Sequence, residues 1–490
     1  DELAAEQLII VNTAVKPYSR LQIAKYLELA KSQNDKLNPR QKGELNFFLQ
    51  DYNKELRRSK DFDKRFDAFY YKDSLFTFSL NPVVGVDAVF NKSNLVYNRW
   101  IGGEIFGYIG KHFGFYANLR DHHENEPLLL NTYITDKSRA NYRNGNEYSE
   151  MRGGVTWSWK WGSIGLIKDH FSWGNGYNGS NIFSGRTPSF PYLNLKLQPV
   201  KWLNFNYVHA WLVSEVIDSL RSYQFSNGTR QVMRPKYLAS NFLTIFPNKK
   251  INFSVGNSVV YSDVGIYPAY LIPVFFYKSI DHSTGSSNYI GQNAQMFFDI
   301  SYRPFRKVHS YVSLFLDEIG LNRMFDRAAH SNFYSFKGGI KISNIIYKTS
   351  ILIEYTRTNP ATYSHFIPTT TFESNLYNLG HYLGDNAREW YVKFTYKPLK
   401  QVKINVSYLY AQVGTQYEYT TGYDVWGLPF LDNIEWSNNL LSIETHYQMT
   451  NDIFARVGFK SAKIFGEKKN VYTPSILQGN YFFSSLNFDF

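Results

Sequence analysis

The sequence predicts an all-β fold: a transmembrane antiparallel β-barrel of about 18 strands, an even number, behind a small N-terminal α-helical module. Three observations predict it. Beyond about residue 73 the hydrophobic period is 2. In "KINFSVGNSVVYSD", Ile251, Phe253, Val255, Val259 and Tyr261 share one side, and Asn252, Ser254, Gly256 and Ser258 the other. Second, two kinds of connection alternate. Short ones include "GK" (110–111), "WG" (161–162), "NKK" (248–250), "RPFRK" (303–307), "KPLK" (397–400) and "TND" (450–452); long ones lie near 121–149, 173–190, 214–238, 262–292, 318–332, 358–388, 414–433 and 464–478. Third, aromatic residues make up 18% of the chain, with 39 Tyr, 39 Phe and 10 Trp.

These features have one common cause. Hydrocarbon offers no partner to a free backbone N–H or C=O, so a sheet that spans a bilayer must close on itself. Each strand then turns an apolar face to lipid, and short turns alternate with long loops at opposite ends. The aromatic residues suit the two interfacial girdles. A soluble sandwich would give period-2 strands without that alternation of connections. An even strand number puts both termini on the short-turn side, expected to be periplasmic.

Taken in order, residues 1–72 read as the helical module. "YSRLQIAKYLELAKSQ" is a helix that Ser19 can cap, with Gln22 placed as in a capping box. "LNPRQKGELNFFLQDYNKEL" is a second helix, with Asn38 as N-cap, Pro39 in the first position and Gln41 completing the box. The module is expected to sit at the short-turn end. Residues 73–490 read as the barrel. It ends in "GNYFFSSLNFDF", where Phe482, Leu486, Phe488 and Phe490 recur at even spacing. Residues 479–490 are therefore expected to pair with a strand near 83–90, and Phe488 and Phe490 to act as a membrane-insertion signal.

Composition removes several classes of protein. There is no Cys, hence no disulfide, thiolate metal site or Cys nucleophile. The longest apolar stretch, "AYLIPVFFY" at 269–277, is far short of a membrane helix and contains Pro273. The formal net charge is +12, but Lys and Arg are scattered among the turns, which argues against nucleic acid. The expected surroundings are outer-membrane lipid and lipopolysaccharide. The chain starts at Asp1 without Met or a basic-then-apolar leader, as a mature form with its signal peptide removed would.

No catalytic residue, metal site or cofactor is expected. In "IGLIKDHFSWGNGYNGSNIFSG" no Lys-Ser/Thr pair follows the glycines, so it is no phosphate loop. Asp169 and His170 are adjacent and would point to opposite faces of a strand. "DHHENE" (121–126) reads as an exposed loop tip rather than a metal site. The long loops are rich in aromatic, amide and acidic residues. Ring faces pack on pyranose C–H groups and amides bond hydroxyls. Trp173, Tyr177, Asn178, Tyr419, Tyr423 and Trp426 are thus candidates for binding a glycan or a partner. The loop near 262–292 is too apolar to face water, so it must bury its side chains in the lumen, against other long loops or on a partner protein; Tyr270, Phe275, Phe276 and Tyr277 are expected to fold inward and plug the lumen, with docking to a partner the next choice.

Three stretches carry a family resemblance: the two helices just quoted, "IGLIKDHFSWGNGYNGSNIFSGRTPSFPYLNLKL" and "YLIPVFFYKSIDHSTGSSNYIGQNAQMFFDI". The chain resembles the capsule-assembly Wzi family of outer-membrane proteins, in its Bacteroidota form. The resemblance implies an 18-stranded barrel with a periplasmic helical bundle and a lectin-like role in holding capsular polysaccharide at the cell surface. Two other functions stay open on the residues alone: an accessory subunit of a larger outer-membrane secretion or barrel-assembly complex, and a diffusion porin.

Overall fold

The computed structural model describes residues 2–56, 65–92, 94–126, 146–284, 291–318, 332–417, 427–466 and 477–488. Eighteen antiparallel strands close into one barrel. They are β1 (Phe76–Phe90), β2 (Leu95–Ile109), β3 (Phe113–Glu124), β4 (Glu147–Trp159), β5 (Gly162–Asp169) and β6 (Phe190–Val200). Next come β7 (Leu203–Ile217), β8 (Met233–Ile245), β9 (Ile251–Ser262), β10 (Asn293–Tyr302), β11 (Val308–Glu318) and β12 (Phe333–Ser343). The circuit ends with β13 (Thr349–Thr358), β14 (Ala387–Tyr396), β15 (Val402–Gly414), β16 (Ile434–Gln448), β17 (Ile453–Gly466) and β18 (Gly479–Phe488). β18 pairs with β1 from Phe482 opposite Phe90 to Phe488 opposite Val84, as the tail pattern predicts. The rings of Phe90 and Phe482 stack across the seam, 5.7 Å between centroids. Phe488 lies exposed on the outer face, whereas Phe490 is outside the described residues. A short strand, Phe69–Lys72, pairs with Thr77–Leu80 of β1 beyond the stretch that β18 covers.

Alternation decides which side chains meet lipid. Val84, Val86, Ile101, Leu119, Val312 and Ile353 are exposed on the outer face. Trp157, Trp161, Trp202, Tyr302, Tyr347 and Tyr447, also exposed, ring the short-turn end; Phe90, Trp390, Phe465 and Phe482 lie toward the other. These are the two girdles.

The N-terminal residues form helices α1 (Glu2–Ala5), α2 (Arg20–Lys31) and α3 (Pro39–Tyr52). Asn38 and Gln41 make the full capping box. Ser19 caps α2, but the Gln22 amide donates to the Tyr26 hydroxyl, so that box is half made. Leu8, Ala30, Leu37, Leu45 and Leu49 form a shared apolar core. The helices meet the short turns. Lys307 N donates to Ala5 O (2.9 Å), Asn451 Nδ2 to Phe47 O (3.1 Å), and Lys397 Nζ lies 3.7 Å from both Glu2 and Glu44. Lys397 of the 397–400 turn is thus ion-paired to the helices. Between α1 and α2 the chain enters the barrel. Asn12 donates to Asn204 and Thr244, and Val15 pairs with Trp173 inside the wall.

The loop after β9 differs from expectation. Strand register places Tyr207, Asn241, Asn257 and Tyr261 on the outward face of β7–β9, and the loop covers them from outside. Asn241 Nδ2 donates to the carbonyls of Pro273 (2.8 Å) and Phe275 (2.9 Å). Asn257 Oδ1 accepts from Tyr277 N (3.0 Å), and Tyr207 Oη donates to Tyr270 O (2.8 Å). Tyr270 and Tyr277 are buried against the wall, while Val274, Phe275 and Phe276 face outward. Tyr270, Phe275, Phe276 and Tyr277 therefore do not plug the lumen. The physical reason is that lipid, unlike water, accepts an apolar loop, and the polar wall beneath satisfies its backbone.

Two outcomes are expected. Deleting 268–276 bares the Asn241–Asn257 amide pair to hydrocarbon and removes the carbonyls that Asn241 Nδ2 donates to, at roughly 2–7 kcal/mol for a polar group buried without a partner. Heat-induced unfolding on a gel should come earlier, Asn241→Leu with Asn257→Leu should restore it in the deleted chain, and bilayer conductance should not change. In the helical module, Arg40 and Lys397 hold the Glu2 carboxyl down at about 2, against the opposing effect of burial. A depressed carboxyl stabilises above its unfolded value and stops doing so as pH falls through the folded one. Protease access to α3, which holds Glu2 through Arg40 and Gln41, should therefore rise between about pH 4.5 and 2, and Glu2→Gln should show the loosened state already at neutral pH.

Candidate functional site in the barrel lumen

The lumen is filled on one side by the β5–β6 connection, residues 170–189. The sequence makes this possible through glycine. Gly174, Gly179 and Gly185 have φ of +91°, +89° and +70°, and a Cβ on Gly176 would come within 2.0 Å of Gly179 O. The loop can thus double back inside a narrow space. Its apolar members, Phe171, Trp173, Ile182 and Phe183, pack with Val208, Phe242, Phe297 and Phe315 of the inner wall. Trp173 stacks on Phe242 at 5.4 Å.

Buried carboxylates of the wall pin the polar part. Glu354 accepts from the backbone N–H of Tyr177 (2.7 Å) and Asn178 (2.8 Å), and also from the Tyr311 hydroxyl. Glu389 accepts from Asn178 Nδ2 (2.9 Å) and the Tyr382 hydroxyl. Asp299 accepts from Asn175 N and Nδ2. Lys341 sits over the Tyr177 ring at 4.4 Å. Trp173, Tyr177 and Asn178 are therefore the plug, not an exposed glycan surface. Tyr419, Tyr423 and Trp426 lie outside the described residues.

Two smaller expectations are corrected. β5 stops at Asp169, so Asp169 and His170 do not diverge; Asp169 accepts from Tyr116 Oη (2.6 Å) and His170 Nε2 lies 3.2 Å from Glu150. "DHHE" belongs to β3 rather than to a loop tip. His122 faces inward, stacked 4.4 Å from Tyr148 and tilted against Trp100 at 5.4 Å, while His123 faces outward, 3.7 Å from Glu147. Among the described residues no group of three or more His, Cys, Asp or Glu side chains could hold a metal.

Across the lumen from the plug, between β1–β4 and β15–β18, lies a cavity of about 780 Å³. Trp100, His122, Tyr148 and Arg152 line it toward the long-loop end, and Lys400, Lys403 and Arg456 toward the helices. A Cβ on Gly85 would come within 2.1 Å of the Trp100 indole, so only glycine lets that ring lie against β1. Reading the sequence missed this cavity. The inward period of β2–β4 carries its rings and charges, but only closure brings β2 opposite β16.

An even-stranded, closed antiparallel wall with an apolar outer band and two aromatic girdles defines an outer-membrane β-barrel. The profile of the family described as capsule assembly protein Wzi matches residues 45–470. The chain belongs to that family. No curated protein matches the sequence. Among solved structures, Escherichia coli Wzi, described as an outer-membrane carbohydrate-binding β-barrel involved in group 1 capsule assembly, superposes with a TM-score of 0.61 at 11% identity. That match covers 100% of this chain and 96% of the other. Acinetobacter baumannii OccAB2 gives 0.47 at 8% identity (86% and 99% covered) and Pseudomonas aeruginosa OprD 0.44 at 9% (84% and 93% covered).

The plug depends on Glu354. Glu354→Ala leaves two backbone N–H groups and a tyrosine hydroxyl without their acceptor, at about 1–3 kcal/mol for each group left buried. The variant should unfold at lower temperature and pass a larger bilayer current than the parent.

Proposed function

We propose that the protein binds surface polysaccharide from the outer membrane and holds it without chemical change. The observation that carries this reading is membership of the capsule-assembly family over residues 45–470. The likeness to E. coli Wzi supports it, since that protein is described as carbohydrate-binding. A non-enzymatic role is supported by the state of the lumenal carboxylates: Glu354, Glu389 and Asp299 are all occupied in holding the plug. The short-turn end, with the helices, faces the periplasm in this reading, because short turns are the periplasmic class. Lipid and lipopolysaccharide surround the wall, and the apolar outer face of the 268–276 loop adds to that contact.

The test is a native pull-down from membranes. Surface polysaccharide should co-purify with the intact protein. A protein partner at fixed ratio without polysaccharide would favour an accessory subunit instead, and a large steady conductance a porin. Orientation is checked by a Cys introduced at Lys31, an exposed residue of α2. It should resist an impermeant thiol reagent in intact cells and react after the outer membrane is permeabilised.

A further inference from the structure

We propose that the lumenal cavity is itself a saccharide site, and that its ligand is acidic: a short run of sugar units bearing carboxylates. This rests on the polysaccharide reading above and adds where one part of the chain is held and by what charge.

The first observation is an excess of positive charge that remains after Arg152 pairs with Glu150 and Lys397 with Glu44. Six cationic side chains line the cavity (Arg120, Arg152, Lys397, Lys400, Lys403 and Arg456) against three carboxylates (Glu44, Asp87 and Glu150). The wall adds more. Register places Lys341 opposite Leu352 and Leu352 opposite Lys393, so both lysines share the inner face. Lys403 lies opposite His446 on that face. Its strongest electrostatic neighbours are Lys393, Lys397 and Lys341, with Glu444 as the carboxylate among them. Among the described residues Lys403 has no hydrogen bond or ion pair. Gathering like charges inside a barrel is unfavourable unless something anionic offsets it, because low-dielectric walls strengthen the repulsion.

The second observation is independent of charge. Trp100, His122 and Tyr148 form a row at the other end of the same cavity, His122 stacked on Tyr148 and tilted against Trp100. Trp100 is only 7% exposed, and its indole Nε1 is buried without a hydrogen-bond partner. A buried donor is normally satisfied. Ring carbons with a free N–H suit a pyranose, which offers C–H groups and hydroxyls together. A bare inorganic anion would use the lysines and leave the rings idle. The volume, about 780 Å³, falls in the usual range of small-molecule sites, roughly 300–1,000 Å³. It takes a few sugar units, not a long chain.

The experiment uses the full chain in detergent, with a short oligogalacturonate as acidic probe and a maltodextrin of equal length as neutral control. Binding is read by calorimetry and by tryptophan fluorescence. The acidic probe should bind at least about tenfold more tightly than the neutral one, and its affinity should fall with added salt. Lys400→Gln with Lys403→Gln should weaken it about tenfold or more, while Lys249→Gln, on an exposed turn, should not. Trp100→Phe keeps the ring and removes the donor. It should weaken binding of the acidic probe and reduce the fluorescence change, and so tests the site even if the lysine variant folds poorly. Unchanged affinity in both the lysine and the tryptophan variants would overturn the lumenal site, as would equal competition by inorganic phosphate. If oligogalacturonate fails to bind but native surface polysaccharide still co-purifies, this inference falls and the polysaccharide reading stands. If neither binds, the polysaccharide reading falls with it.

Discussion

The structure depends on one constraint: every backbone N–H and C=O of the wall must find its partner within the wall. In hydrocarbon nothing else can supply one. That requirement joins β18 to β1, holds the C-terminal strand in register and leaves the outer face to apolar side chains. It also dictates how the edge beyond the seam is treated. β1 is longer at the short-turn end than the stretch β18 covers, and Phe69–Lys72 pairs with the remainder.

A closed wall of this size encloses space that side chains alone do not fill. Here it is divided. On the β6–β12 side the inner face carries an apolar cluster, Val208, Leu238, Phe242, Val260, Phe297 and Phe315, among buried polar groups such as Ser240, Asp299 and Lys337, and the plug packs on it. On the β1–β4 and β15–β18 side the inner face is polar and charged, and a cavity remains. The division is enforced by carboxylates at the border. Glu354 and Glu389 bind the turn of the plug and keep it on its own side. The N-terminal segment strengthens this arrangement from the opposite end, pairing Val15 with Trp173. Helices, plug and wall are thus one cooperative body, with the cavity between the helices and the ring row of β2–β4.

The strands, their number, the closing tail and the Asn38 capping box were legible because each follows from local order: period 2, period 3.6, or a cap and its partner a fixed distance apart. The functional loops were not. Residues 173–178 looked like an exposed aromatic and amide surface, and 270–277 like a plug, yet the first lies inside the lumen and the second covers the outside of the wall. Both loops are rich in rings, and composition does not say which side of a wall a ring faces. A trace was present. Asn241 and Asn257 interrupt the outward apolar period of β8 and β9, and such polar residues in a lipid-facing row signal a cover outside.

The sequence alone therefore determined the architecture: alternation, loop classes and an aromatic C-terminal strand admit little but a closed outer-membrane barrel. Tertiary structure alone decided the interior. Lys403 is more than 280 residues from Arg120 in the chain, and Trp100 is more than 350 from Arg456. They line one cavity only because closing the sheet sets β2 and β3 across from β15 and β17. Strand patterning is a property of neighbours along the chain. The contents of a lumen depend on which strands face each other across it, and that is known only once the last strand has met the first.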